Sequence, residues 1–153
     1  MRITDFVNVA SIKAGLVSSL KKQALEEIVD KLIEARKIRK ENKAKVLKVI
    51  NERERKGSTG IGQGIAIPHA RTDSVKDIVI GFGNSEKGVE FEALDGELVH
   101  IIFMMLVPKD SSGQYLKVLA KISRLLKDKY FRQFLAEAKT AEDVYKTIGE
   151  EDI

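Results

Sequence analysis

The chain has 153 residues, 43% hydrophobic and 33% charged, the composition of one folded domain and not of a disordered or fibrous chain. It carries a formal net charge of +4 and no cysteine, which excludes disulfides and thiolate metal sites and leads to the expectation of a reducing compartment, the cytoplasm. The longest apolar run, residues 98–107, is interrupted by His100 and reaches about half the ~20 residues that a membrane helix requires, and the N-terminus lacks the apolar core of a signal peptide.

The charge is uneven. Residues 1–56 hold 15 Lys and Arg against 8 Asp and Glu, whereas residues 57–153 hold 12 against 15. The excess lies between Arg36 and Lys56, which suits nucleic acid, acidic lipid or an acidic protein or, as the ordinary reading, a lysine-rich solvated helix face. No aromatic residue interleaves this stretch, so single-stranded nucleic acid is not an expected partner.

Residues 18–35 read as a helix that Ser18 or Ser19 could cap, with Leu25, Ile28, Val29, Leu32 and Ile33 in one stripe. Residues 41–56 read as a second helix with Val46, Leu47 and Ile50 inward and Gly57 as a left-handed C-cap. Arg53, three residues after Ile50, extends that apolar face toward the glycines that follow, and a cation there also complements the helix dipole. Residues 65–67 form a short extended stretch, residues 77–83 a strand, and residues 86–94 a turn-rich segment with a short strand at 89–91. Residues 99–107 are nearly all apolar, as a central strand covered on both faces requires. Three helices follow. One starts at Ser111 or Ser112 and runs to about Lys127, with Leu116, Leu119, Ile122 and Leu126 inward. The second is capped by Asp128 and carries Tyr130, Phe131, Phe134 and Leu135. The third opens with a Thr140–Asp143 capping box and turns Val144 and Ile148 inward. This order predicts a single α/β domain over residues 1–153, a sandwich in which a small mixed sheet is flanked by helical layers.

The chemistry gathers in residues 57–70, where four glycines fall within eight residues, ahead of Ile65-Ala66-Ile67-Pro68-His69-Ala70. Gly60-x-Gly62-x-Gly64 is neither a dinucleotide fingerprint nor a P-loop, because no helix opens after it and no Gly-Lys-Ser/Thr follows. What remains is a backbone-rich turn beside an imidazole. Gly60, Gly62 and Gly64 can aim N–H groups at an anion, Ser58 and Thr59 add hydroxyl donors, and Arg53 adds a fork suited to phosphoryl oxygens. Pro68 stiffens the backbone before His69, a competent nucleophile near neutral pH. These parts suit a phosphoryl relay.

Residues 57–70, above all Gly60-Ile61-Gly62-Gln63-Gly64-Ile65-Ala66-Ile67-Pro68-His69-Ala70, resemble the phosphorylation-site signature of the fructose/mannitol-type EIIA domains of the bacterial phosphotransferase system, which include nitrogen-regulatory EIIA proteins. The likeness extends more loosely to Lys21-Lys22-Gln23-Ala24-Leu25, to Arg53-Glu54, to Leu106-Val107-Pro108 and to the closing helices. The resemblance implies that His69 takes a phosphoryl group from an HPr-like phosphocarrier, that Arg53 approaches the phosphohistidine, and that phosphate is passed to an EIIB or regulatory partner without cofactor, metal or membrane insertion. The absence of an attached EIIB-like or membrane segment points to the nitrogen-regulatory branch. In one respect the chain departs from the pattern: Tyr115 stands where many relatives carry a second histidine near the active one. A non-catalytic alternative follows, in which phosphorylation of His69 only switches a partner interface.

Three other groups have ordinary readings. His100 reads as a core or sheet-edge histidine with a backbone partner, and the Met104-Met105 pair as core filling. Asp73, four residues after His69, could orient the imidazole, although the turn expected after Ala70 removes any helical spacing between them.

Overall fold

The computed structural model describes residues 2–111 and 113–152. Among these residues, five α-helices and six strands lie in the order β1 (Ile12–Lys13), α1 (Lys21–Glu34), α2 (Lys43–Arg55), β2 (Gly60–Gly62), β3 (Ile65–Ala66), β4 (His69–Thr72), β5 (Val79–Val89), β6 (Val99–Pro108), α3 (Gln114–Leu125), α4 (Lys129–Glu137) and α5 (Ala141–Glu151). The sheet is mixed and ordered β1-β5-β6-β3-β2. β5 and β6 are antiparallel at its centre, while β3 and β4 run parallel to β6 along the same edge.

β6 is buried on both faces because every side chain from Ile101 to Val107 is apolar, and alternate residues feed two cores. Ile101, Phe103, Met105 and Val107 join Val118, Ile122, Phe131, Leu135, Val144 and Ile148 beneath α3, α4 and α5. Ile102, Met104 and Leu106 join Leu25, Ile28, Val29, Leu32, Val46 and Ile50 beneath α1 and α2. The expected mixed sheet between helical layers is therefore present, and the family resemblance pointed to the same architecture.

Several local expectations are corrected. α1 starts at Lys21 with Leu20 as N-cap and no side-chain cap. Ser18 and Ser19 do not cap it because their backbone is already engaged: the Glu27 carboxylate accepts the Val17 and Ser18 N–H groups at 3.0 and 2.8 Å, and the Ser19 carbonyl accepts from Glu90. Gly57 has φ 158°, near extended, so it is not a left-handed cap. α2 instead ends in a tight turn in which Lys56 and Gly57 donate to Arg53 and Glu54. β5 runs on past residue 83, where the strand was expected to end, through the start of the segment 86–94 expected to be turn-rich, and Asn84 finds buried partners there. Its Nδ2 donates to the Leu135 and Ala138 carbonyls at 2.8 and 2.9 Å, and its Oδ1 accepts from Gly15.

Among the closing helices, α3 begins after Gly113. Ser111 does not start it, and Ser112 lies outside the described residues. Leu116 is 56% exposed, whereas Val118 takes the inward position. Asp128 caps α4 through Tyr130 and Phe131, and Thr140 accepts the Asp143 N–H at the start of α5, both as expected. The chain ends are stapled together. The fully buried Asp152 accepts the Ile3 N–H and pairs with Lys121 at 2.5 Å, while Arg2 donates to the Asp152 and Gly149 carbonyls.

Candidate active site

β2 and β3 form a hairpin whose two strands are tied to their surroundings on both sides. Thr59 O accepts from Ile67 at 3.1 Å and Gly64 O accepts from both His100 and Ile101. Gly60 is required by close approach, since a Cβ there would lie 2.8 Å from the Ala93 Cβ. Beyond Ala66 the edge bends at Ile67-Pro68 and resumes as β4, where His69 pairs in register with Met105. The Pro68 carbonyl accepts from Met105 at 2.8 Å, so the backbone directly before the imidazole is locked to the central strand.

His69 is half-buried, and its Nδ1 lies 2.9 Å from the Ile67 carbonyl oxygen. A carbonyl only accepts, so Nδ1 carries the proton and donates it there. The other nitrogen, Nε2, therefore holds a lone pair in the neutral ring. Asp73 does not orient this imidazole. It pairs with Lys45 and, at 3.9 Å, with Lys109, and the contact with Lys45 holds its carboxyl below its usual range.

The loop donors named from sequence are differently employed. Thr59 turns both its hydroxyl and its N–H onto Glu54, whose buried carboxylate also pairs with Lys21 at 3.1 Å. Lys21 in turn sits 4.7 Å over the Phe91 ring. Ser58 donates its hydroxyl to the Phe91 carbonyl and accepts the Gly60 N–H at 3.0 Å. The N–H groups of Thr59 and Gly60 are thus taken by the Glu54 carboxylate of α2 and by the Ser58 hydroxyl, and neither is left for an anion, because a buried backbone donor must find a partner. Gly62 and Gly64 have φ of 104° and 78° and serve the hairpin turn. Arg53 reaches the loop from the last turn of α2, where Nη1 donates to the Gly57 carbonyl at 2.9 Å and its other guanidinium N–H groups have no partner among the described residues.

Arg71 is the residue that sequence reasoning missed. Two positions after His69 on β4, it lies on the same face of the strand. Its Nη1 donates to the Lys109 and Ser111 carbonyls at 3.2 Å, and its guanidinium carbon lies 4.8 Å from the centre of the Tyr115 ring. The alternation His-x-Arg was the available signal, hidden because residues after Ala70 looked like a turn. Tyr115 thus seats a cation beside the imidazole strand.

A groove of about 870 Å³ lies elsewhere, lined by residues of 4–8, 33–42 and 73–79 and not by His69. No helix among the described residues is long and apolar enough to cross a membrane. The half-buried His69 imidazole has no partner at Nε2 among the described residues and sits on β4, the short strand that pairs with β6.

Known proteins similar to this chain point to one family. The model of the family described as "Phosphoenolpyruvate-dependent sugar phosphotransferase system, EIIA 2" matches residues 5–151. The chain is 36% identical over 152 residues to the fructose-specific EIIABC component of Bacillus subtilis, covering 99% of this chain but 24% of that protein, about a quarter of its length. It is 34% identical over 149 residues to the nitrogen regulatory protein of Bradyrhizobium diazoefficiens, covering 97% and 95% of the two chains. The crystal structure of nitrogen regulatory protein IIA-Ntr from Neisseria meningitidis superposes with a TM-score of 0.85 at 33% identity, covering 95% and 98%. With nearly its whole length matched, and with His69 at the end of the glycine hairpin, this chain belongs to the EIIA 2 family of phosphotransfer components of the phosphoenolpyruvate-dependent phosphotransferase system.

Proposed function

We propose that the protein is a phosphohistidine carrier in which His69 Nε2 accepts a phosphoryl group from an HPr-like donor and either hands it to an EIIB-type acceptor or signals with it to a regulatory partner. The observation that carries this reading is the Nδ1–H bond to the Ile67 carbonyl, which leaves Nε2 unprotonated and points the reactive lone pair away from the backbone. In the transfer, the P–N bond to the donor imidazole breaks as the P–N bond to Nε2 forms. No proton need leave His69, because its one N–H proton stays on Nδ1, donated in a hydrogen bond to the Ile67 carbonyl.

The charge on the three transferring oxygens calls for cations already in place. Arg53 is the candidate, with guanidinium donors left over after its bond to Gly57. The glycine hairpin supplies shape more than donors. Exposed Ile61, Leu94, Leu98 and Leu116, on and near the hairpin and at the start of α3, offer apolar surface for a docking protein. The nitrogen-regulatory branch is favoured by the 34% identity spread over almost the whole of the Bradyrhizobium protein. A cytoplasmic location accords with the absence of cysteine.

Incubation with phosphoenolpyruvate, Enzyme I and HPr should add one acid-labile phosphate, and His69→Ala should abolish it. Persistence of the label in that variant removes the proposal. A second reading, in which the phosphorylated form is only a switch, draws on Tyr115, which carries a phenol where a second imidazole would assist onward transfer. A carrier discharges its label onto an EIIB protein within the mixing time, whereas a switch loses it only to water.

A further inference from the structure

The second histidine is held by the same device as the first, yet it lies far from it. His100 is five residues before Met105, the register partner of His69, so about 17 Å of β6 separates the two positions at ~3.3 Å per residue. His100 Nδ1 lies 2.8 Å from the Ser85 carbonyl oxygen and therefore donates to it, which leaves Nε2 as an acceptor in the neutral ring.

Two glycines make room for this ring. A Cβ on Gly64 would stand 3.4 Å from His100 Cδ2, and one on Gly88 would stand 3.1 Å from Cε1. Both glycines have positive φ, at 78° and 96°, and so resist replacement by L residues on conformational grounds as well. The ring is seated, tethered at one nitrogen and free of a partner at the other among the described residues.

A groove of about 270 Å³ opens beside it, between the β2–β3 turn and α4, lined by Gln63, His100, Lys129, Arg132 and Gln133 among others. No carboxylate lines it. Arg132 is anchored, with Nη1 donating to the Leu126 and Lys127 carbonyls at 2.7 and 3.0 Å. The rest of its guanidinium, like the Lys129 ammonium, has no partner among the described residues. The larger groove on the other side of the molecule, by contrast, mixes Arg36, Lys37 and Lys40 with Asp5, Glu41 and Asp77.

We propose that the His100 groove binds a small phosphate-type oxyanion that keeps one O–H donor. The two cations require an anion. The lone pair on Nε2 requires a hydroxyl, because a fully deprotonated oxyanion would meet it lone pair to lone pair. Hydrogen phosphate satisfies both demands, as does a phosphate monoester with a free hydroxyl elsewhere. Sulfate satisfies only the first. The proposal is independent of phosphoryl transfer at His69.

The test is a titration of the ¹⁵N-labelled full chain at pH 8, where inorganic phosphate still carries one proton, with inorganic phosphate, glycerol 3-phosphate and sulfate as probes. Saturable amide shifts at residues 63–64, 99–101 and 129–136, with a Kd of about 1 mM or below for at least one phosphate probe and at least tenfold weaker sulfate binding, support the site. Saturation by glycerol 3-phosphate alone assigns it to esters. Saturation by both phosphate probes assigns it to the phosphate group itself. Arg132→Gln and Lys129→Gln, at surface positions, should each weaken binding severalfold, and His100→Gln should erase the preference over sulfate. Equal binding of sulfate and phosphate, shifts confined to residues 69–72, wild-type affinity in Arg132→Gln, or no saturation at ten times the expected Kd would each overturn the proposal.

Discussion

At the scale of single residues, one backbone carbonyl fixes the tautomer of the imidazole. Ile67 O holds the proton of His69 on Nδ1 and so leaves the lone pair on Nε2, the atom proposed to accept the phosphoryl group. Arg53 reaches the glycine hairpin with donors to spare, and Arg53→Ala should slow phosphorylation of His69 by tenfold to about a hundredfold, the usual effect of losing one charged oxyanion partner. Rapid-quench measurement of phosphoryl transfer from HPr checks this, and an unchanged rate would assign Arg53 to capping α2 alone. Tyr115 acts through its ring face, which lies under Arg71. Tyr115→Phe should therefore leave the transfer rate within about twofold of wild type, whereas Tyr115→Ala removes a contact of about 1 kcal/mol and lets Arg71 wander. If the phenolic hydroxyl takes part in transfer, the two variants will fall together. The Arg71–Tyr115 contact could not be read from sequence, because it joins a strand edge to a helix 44 positions along the chain.

At the scale of elements, the glycine hairpin is pinned from beneath by Glu54. This carboxylate is buried at the end of α2 and receives Lys21 from the start of α1 and Thr59 from the hairpin, so it joins three elements at one point. Removing one partner of a buried ion pair leaves the other desolvated and unpaired. Glu54→Ala should lower unfolding stability by about 3 kcal/mol, measured by urea denaturation at pH 7. A loss below about 0.5 kcal/mol would mean that Lys21 and Thr59 find water instead. Glu27 serves α1 in a similar way, with its carboxylate taking the Val17 and Ser18 N–H groups. Burial raises its proton affinity, but the Val17 and Ser18 hydrogen bonds together outweigh burial and hold the group below its ordinary value of 4.5. Its contribution is thus complete above pH 4.5 and is lost as pH falls below that value. Glu27→Gln should be less stable than wild type at pH 7 by about 1 kcal/mol, and the difference should shrink by pH 3.5. A difference that grows on acidification contradicts the depressed carboxyl.

At the scale of the whole molecule, two apolar cores lie on opposite faces of one sheet, and the imidazole sits on β4, which pairs with β6 on the same edge as β3. The fold is closed by its termini, where Asp152 binds the Ile3 N–H and Lys121. Asp152→Ala strands the buried Ile3 N–H and removes the carboxylate that pairs with Lys121, and should cost about 3 kcal/mol. It should leave the transfer rate of the folded fraction unchanged, which denaturation and single-turnover phosphorylation of one preparation would show together. A loss of transfer in fully folded protein would reveal coupling between the chain ends and the sheet edge.

Periodicity and punctuation in the sequence were enough for the helices, the central strand and the α4 and α5 caps, because each depends on neighbours within a turn or on an unbroken apolar run. The resemblance of residues 57–70 to a known signature named the chemistry. Other features rest on partners distant in sequence. β1, β2 and β4 exist because β5, β3 and β6 offer them hydrogen bonds, and residues 84–89 extend β5 because Asn84 meets the Leu135 and Ala138 carbonyls. The donors of Ser58, Thr59 and Gly60 were open choices in the sequence. Only the folded chain commits them to Phe91, Glu54 and Ser58, because a buried polar group must be satisfied wherever packing places it.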